Sequence, residues 1–195
     1  MLYSQNNEEK IIVDYFKGKV GKFLDIGAFN PFTFSNTRRL VELGWAGIYV
    51  EPSPICFQSF VETYSSDLNI TLYNCALGLN DGKTVFYESG LDAVGTLCLK
   101  HKEKWEKGCG VKYHSIIIDV VKTENFFKQS LGNIDFLSLD TEALNIEIFN
   151  RIPDSFWDSI SLLCIEHDNK VEHICQKLSS FRQLLCNAEN LILGK

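Results

Sequence analysis

Five short polar clusters each follow directly on an apolar run, where a strand would hand over to a loop. They are residues 25–30, Glu51, residues 74–77, residues 140–142 and residues 166–168. In the first, Asp25-Ile26-Gly27 ends the run begun by Phe23 and Leu24. Gly27 permits the positive φ of a tight turn and lets backbone approach a ligand. A pyrophosphate would need further small residues, so that its oxygens reach the N–H groups of a helix start. Ala28-Phe29-Asn30-Pro31 is too bulky for that, and Pro31 removes a donor. The turn therefore suits a nucleoside without a pyrophosphate, or else it is an ordinary strand-to-helix loop.

Glu51 closes the second apolar run, 26 residues after Asp25. An acidic side chain at that point can accept both hydroxyls of a ribose. Asp140 and Glu142 leave a third run, and two carboxylates so placed are costly unless solvated, paired or used. Glu166-His167-Asp168 repeats the pattern, and His167 is a candidate general base because imidazole titrates near neutrality. His101, His114 and His173 fall in surface or strand-edge contexts and are given no role. So many polar groups on one edge could hold a divalent ion. Their spacing demands none, and no metal is expected.

The elements that must carry these groups alternate. Helical spacing of apolar residues predicts helices over 8–16, 33–43, 53–64, 101–107, 123–129, 143–151 and 171–186. Strands are predicted over 23–26, 47–51, 69–77, 83–88, 116–121, 134–139, 160–166 and 190–193. Ile55, Phe57, Phe60 and Val61 should form the inward stripe of the third helix, and Thr123 should cap the fifth. Asn80-Asp81-Gly82 is a turn signal, and Phe86, Tyr87 and Trp105 mark an aromatic stretch that packs or shapes a pocket. Alternating strands and helices make an α/β domain with a mostly parallel sheet and helices on both faces. Ligands in such sheets bind beyond the carboxyl ends of the strands, where all five clusters fall.

Bulk properties narrow the classes. With 195 residues the chain is expected to form a single domain, residues 1–195, with a sizeable core. Its formal net charge is −6 with scattered lysines, which disfavours a nucleic-acid partner. No apolar run reaches the roughly 18–20 residues of a membrane span. The polar, acidic opening MLYSQNNEEKII is the opposite of a secretory signal, so a cytoplasmic location is expected. Seven cysteines without a Cys-x-x-Cys pair read as buried, reduced thiols, with Cys175 and Cys186 on one inward helical face. There is no Gly-x-Ser-x-Gly elbow, no Walker loop and no His-Glu-x-x-His, so serine hydrolases and phosphotransferases lack their residues.

Taken in order, several segments resemble the FkbM-type S-adenosylmethionine-dependent methyltransferases. They are Tyr3-Ser4-Gln5 with Glu8-Glu9, Phe23-Leu-Asp-Ile-Gly-Ala28, Ser35-Asn36-Thr37 and Gly44-Trp45-x-Gly47-x-x-Val50-Glu51-Pro52. Asn74-Cys-Ala-Leu-Gly78, Phe136-Leu-Ser-Leu-Asp-Thr-Glu142, Cys164-Ile-Glu-His167 and Glu189-Asn-Leu-Ile-Leu193 complete the series. The resemblance implies a Rossmann-like class I methyltransferase fold with a seven-stranded-type sheet, and S-adenosylmethionine as cofactor. It places Asp25 and Gly27 by the methionine and ribose portions and Glu51 on the ribose hydroxyls. Asn74, Ala76 and Leu77 would lie along the adenine, and Asp140 would face the sulfonium and the acceptor. Gln5, Ala28, Asn30 and Pro52 join the cofactor set through the same motifs. The family usually has Gly after Glu142 and an acid two residues later; here stand Ala143 and Asn145. Asn30 likewise replaces an acidic or glycine residue common in that turn.

The implied reaction is in-line transfer of a methyl group to a hydroxyl of a sugar-like or other small molecule. A base must then take the hydroxyl proton, and Asp140, Glu142 and His167 are the candidates in that order. A non-catalytic nucleoside-binding relative and a nicotinamide-dependent oxidoreductase are the rival readings.

Overall fold

The computed structural model describes residues 2–90, 92–129 and 131–195. Its centre is a seven-stranded sheet. Across it lie β3 (Ile70–Tyr73), β2 (Ala46–Val50), β1 (Lys22–Ile26), β7 (Phe136–Leu139), β8 (Leu162–Glu166), β10 (Asn190–Gly194) and β9 (Arg182–Cys186). Within this sheet only β10 is antiparallel to its neighbours, β8 and β9. A smaller sheet sets β6 (His114–Lys122) between β4 (Ala76–Gly78) and β5 (Gly82–Glu88).

Strict alternation makes the central strands two-faced. Phe23, Phe136 and Leu162 point into one hydrophobic cluster, and their neighbours Leu24, Leu137 and Leu163 into the other. Helices α1 (Glu8–Phe16), α2 (Arg38–Glu42) and α3 (Pro54–Tyr64) seal the first cluster with Ile12, Leu40 and Phe60. Helices α5 (Thr123–Phe127), α6 (Asn145–Arg151), α7 (Asp154–Ser159) and α8 (Val171–Lys177) seal the second with Phe126, Phe149, Trp157 and Ile174. Each such side chain contributes about 1.5–3 kcal/mol of transfer free energy. Burial on both faces is why these strands read as continuous apolar runs. Helix α4 (Leu99–Cys109) buries none of its residues, and through His101 it touches Glu142. Among the described residues no helix is long and apolar enough to cross a membrane.

Several expected elements change shape. The helix expected over 171–186 ends at Lys177, and Arg182–Cys186 forms edge strand β9 against β10. A pairing partner for β10 outweighs local helical spacing. Cys175 and Cys186 therefore share no helix face, and Cys109 and Cys186 are exposed. The strand expected over 69–77 divides at Asn74: Ile70–Tyr73 joins the large sheet and Ala76–Gly78 the small one. Only Arg38–Glu42 of the expected 33–43 helix is helical. Phe34 is left-handed at φ 58°, and Ser35 Oγ accepts from the N–H groups of Thr37 and Arg38. On α3 the inward residues are Cys56, Phe60 and Tyr64, while Ile55 is exposed. Thr123 is the first helical residue of α5 rather than its cap, and its hydroxyl donates to the Gly78 carbonyl. Helix α7, absent from the sequence reading, fills the stretch before β8.

Candidate functional site

The carboxyl ends of β1, β2 and β7 open into one cavity of about 1140 Å³, its open mouth included. Gln5, Asp25, Gly27, Ala28, Glu51, Pro52, Ala76, Leu77, Asp140 and Glu142 all line it. The segment after β5 closes one side with Ser89, Gly90, Asp92, Ala93, Gly95 and Leu97.

Gly27 holds the floor of the turn at φ 80°. A Cβ there would come within 2.7 Å of the Asp140 carbonyl carbon, so only glycine lets the β1 turn pack on the β7 turn. Asp25 is buried, in register with Ser138 of β7. Its Oδ2 accepts from the Thr37 hydroxyl at 2.6 Å. Burial pushes its pKa up to about 6, against the lowering hydrogen bonds of Thr37 and Ser138.

Glu51 is buried at the end of β2, where its two oxygens accept from separate backbone N–H groups. Oε2 takes Phe29 at 2.8 Å and Oε1 takes Ser53 at 2.7 Å. The carboxylate thus ties the β1 turn to the start of α3. A carboxylate oxygen has more than one lone pair, so each retains capacity for a ligand hydroxyl. Desolvation pushes its pKa up to about 7. Ser53 caps α3 by accepting from Cys56 N, and donates its hydroxyl to buried Glu88 at 2.7 Å.

Asn30 and Asn74 are not among the cavity residues. Asn30 Oδ1 accepts from the N–H groups of Phe32 and Thr33 and shapes its own loop. Asn74 donates to the Glu51 carbonyl at 2.8 Å and to the Pro52 carbonyl at 3.2 Å, which holds the β2 exit in place.

Asp140 reaches the cavity with Oδ1 buried and without a hydrogen-bond partner. Burial, and then the negative charge of Glu142, push its pKa up to about 7. Glu142 sits 3.0 Å from His101 Nε2, and its carbonyl accepts from the Thr96 hydroxyl at 2.7 Å. Glu142 and Ala143 both have positive φ, at 50° and 84°. The turn needs the conformation that glycine adopts freely, and here alanine supplies it.

His167, expected beside the acceptor, lies outside the cavity lining. Its Nδ1 accepts from Asn169 N at 3.1 Å and its Nε2 meets the Asn187 carbonyl at 3.2 Å. Both ring nitrogens are used to shape the loop after β8. The neighbour one position earlier, Glu166, instead accepts from Asn145 Nδ2 at 2.6 Å, and burial, followed by the negative charge of nearby Asp140, pushes its pKa up to about 9. Strand alternation could have pointed to this, since Glu166 extends the parallel pairing of β7 and β8 beyond Leu139 and Ile165.

Sequence reading gave no site role to Glu8, Phe29, Phe34, Asn36, Ser53, Glu88 and Asn190, which also stand at the cavity wall. Glu8 is fully buried and accepts from Asn187 and Asn190 side chains and from Asn6 N, which fastens the segment carrying Gln5 to the β9–β10 hairpin. The cavity is lined by Glu8, Asp25, Glu51, Glu88, Asp92, Asp140 and Glu142, with no Lys, Arg or His among the described lining residues. Such a lining attracts cations and repels phosphates.

The sequence matches the Methyltransferase FkbM domain over residues 25–191. No curated protein matches it. Among solved structures, the FkbM methyltransferase from Methylobacillus flagellatus aligns with a TM-score of 0.58 at 13% identity, over 89% of this chain and 43% of that one. The chain thus spans less than half of that protein. The human methyltransferase 10 domain containing protein aligns with a TM-score of 0.51 at 9% identity, over 98% of this chain and 82% of that one. At these identities the likeness is one of fold: the seven-stranded, Rossmann-like sheet of the class I methyltransferases.

Proposed function

The chain belongs to the FkbM methyltransferase domain family, and from that premise we propose that it transfers a methyl group from S-adenosylmethionine to a hydroxyl of a sugar-like or other small molecule. Residues 1–195 would act as one domain in this reaction. The observation that carries the reading is the acidic, cation-free lining of the cavity at the ends of β1, β2 and β7. It suits a nucleoside with a positive sulfur and no phosphate. A dinucleotide would bring a pyrophosphate against seven carboxyl-bearing residues with no Lys, Arg or His among the described lining residues to meet it.

The residues present fit the cofactor. Glu51 would accept the ribose hydroxyls on oxygens that its two backbone partners already orient. Ala76 and Leu77 would wall the base. Asp25, Gly27 and Gln5 would surround the methionine portion, and Asp140 would face the sulfonium. Asn30 and Asn74 act one step back by shaping the loops. When bound, S-adenosylmethionine supplies a methyl group already activated by its positive sulfur. The chain's own task is alignment of the acceptor and exclusion of water. Asp140 is the proton acceptor: a carboxylate raised toward neutrality with a buried, unpartnered oxygen. Glu142, held by His101, is the second candidate.

The test is calorimetric titration with S-adenosylmethionine, S-adenosylhomocysteine and NAD in parallel. Binding of both sulfur nucleosides, weakened by Glu51→Ala, supports the reading. Binding of NAD alone sinks it. Once an acceptor is found, Asp140→Asn should abolish turnover and keep nucleoside binding. Nucleoside binding with no turnover on any hydroxylated acceptor would favour a non-catalytic relative.

A further inference from the structure

Glu88 ends β5 with only 7% of its surface exposed, and it lines the cavity. Phe86, two residues earlier, shares its face of the strand and lines the cavity too. The wall around them is apolar: Ala76 and Leu77 from β4, and Leu97 from the segment after β5. Gly95 lies against the Phe86 ring, where a Cβ would come within 2.8 Å of Cζ. A buried carboxylate in such surroundings is costly unless donors meet its oxygens. Oε1 has one, the Ser53 hydroxyl at 2.7 Å. Because Ser53 Oγ accepts from Cys56 N at 3.2 Å, its own proton is free for Glu88. Oε2 has no hydrogen-bond partner among the described residues. The neighbouring polar side chains are occupied or open to water. Ser89 Oγ donates to the Asp92 carbonyl at 2.6 Å, and Asp92 itself is exposed.

We propose that Glu88 sets the base specificity of the site, its free oxygen accepting from the exocyclic amino group of adenine. This rests on the methyltransferase reading, which puts the ribose on Glu51 and the base along Ala76 and Leu77. Ser53 ties the two carboxylates together. Its N–H donates to Glu51 Oε1 and its hydroxyl to Glu88 Oε1, so a single residue separates the ribose-binding acid from the second one. The strand order agrees. In the large sheet β7, β1 and β2 lie side by side, with Asp140, Gly27 and Glu51 following their carboxyl ends. A nucleoside with its sulfur at Asp140 and its ribose at Glu51 extends its base past β2. There it meets the small sheet, which carries Ala76, Leu77, Phe86 and Glu88. The apolar faces of a purine suit Leu77 and Phe86, and its polar edge needs a partner. Adenine offers an amino donor on that edge, whereas a 6-oxo purine offers a carbonyl acceptor. A carboxylate only accepts, so it matches the first and repels the second.

Calorimetric titration with S-adenosylhomocysteine and S-inosylhomocysteine tests this, since the second carries a carbonyl where the first has the amino group. The wild type should bind the inosine compound about tenfold or more weakly, as expected for losing a hydrogen bond to a charged group. Glu88→Gln keeps the size of the side chain. The Ser53 hydroxyl holds its amide oxygen, which turns the amide N–H groups toward the base. In that variant the preference for adenine should shrink by about tenfold or more. Each ratio compares two ligands on one protein, so a change in stability cancels, and the wild-type ratio needs no variant at all. Wild-type affinities within about twofold of each other would overturn the proposal. So would a preference that Glu88→Gln leaves unchanged. Tight binding of S-adenosylhomocysteine without discrimination sinks the role of Glu88 alone. If neither compound binds, the methyltransferase reading falls and this assignment falls with it.

Discussion

Gly27→Ala probes the joint on which the cavity depends. Gly27 sits at φ 80° directly after β1, and an added Cβ would lie 2.7 Å from the Asp140 carbonyl carbon and 3.4 Å from Thr141 Cα. Two costs combine. A residue with a β-carbon in the left-handed region costs about 1–2 kcal/mol. Overlap with main-chain atoms that cannot swing aside costs about 1–3 kcal/mol more. The sum, about 2–5 kcal/mol, corresponds to a drop in melting temperature on the order of 10 °C for a chain of this size. The overlap is relieved only by moving residues 140–142 off the β1 turn, which carries Asp140 away from the cavity floor. Affinity for S-adenosylmethionine should then fall by about tenfold or more, equivalent to 1.4 kcal/mol. Scanning calorimetry of the free protein and titration with the nucleoside read the two effects separately. A variant that melts within about 2 °C of the wild type and binds within about twofold would refute the reasoning.

Other outcomes follow from the same geometry. Ala143→Gly relieves a residue at φ 84°. The gain of about 1–2 kcal/mol is partly offset by a freer unfolded chain, at about 0.4–1 kcal/mol. A rise in melting temperature of a few degrees is expected, and no rise would mean the strain is not there. The ligand-free protein should melt lower at pH 8 than at pH 5. Asp25 and Glu51 are raised in the folded state to about 6 and about 7, above their ordinary values, so their favourable contribution is full below those ordinary values and is lost as pH climbs through 6 to 7. For Glu51 the loss is on the order of 3 kcal/mol. Glu42 and Glu124 are lowered and work the other way, but they sit in surface ion pairs worth little. Thermal melts across that range, with Glu51→Gln flattening part of the slope, decide it; a flat or rising wild-type curve would contradict the assignment.

What the sequence determined by itself was the set of strand ends. The runs ending at Asp25, Glu51 and Asp140 are apolar because those strands are buried on both faces, and a parallel sheet sends such ends to one edge. The missing glycines after Gly27 excluded a pyrophosphate for a steric reason legible in the residue types alone. The tertiary structure decided which side chain at each end faces the cavity. His167 and Glu166 are adjacent, and strand alternation turns one to the hairpin loop and the other to Asn145. Asn30 and Asn74 were expected at the cavity, but their side chains are taken up by loop hydrogen bonds and neither is among its lining residues. The stretch 182–186 became a strand because β10 offered an open edge, a partner that no local window contains. Asn145, a change of charge in the sequence, gained its meaning only from neighbours brought to it by folding: Thr141 on one side, Glu166 and Asp168 on the other. Residue type and period are local and can be read along the chain. Orientation and protonation depend on what packs opposite, and only the folded chain supplies that.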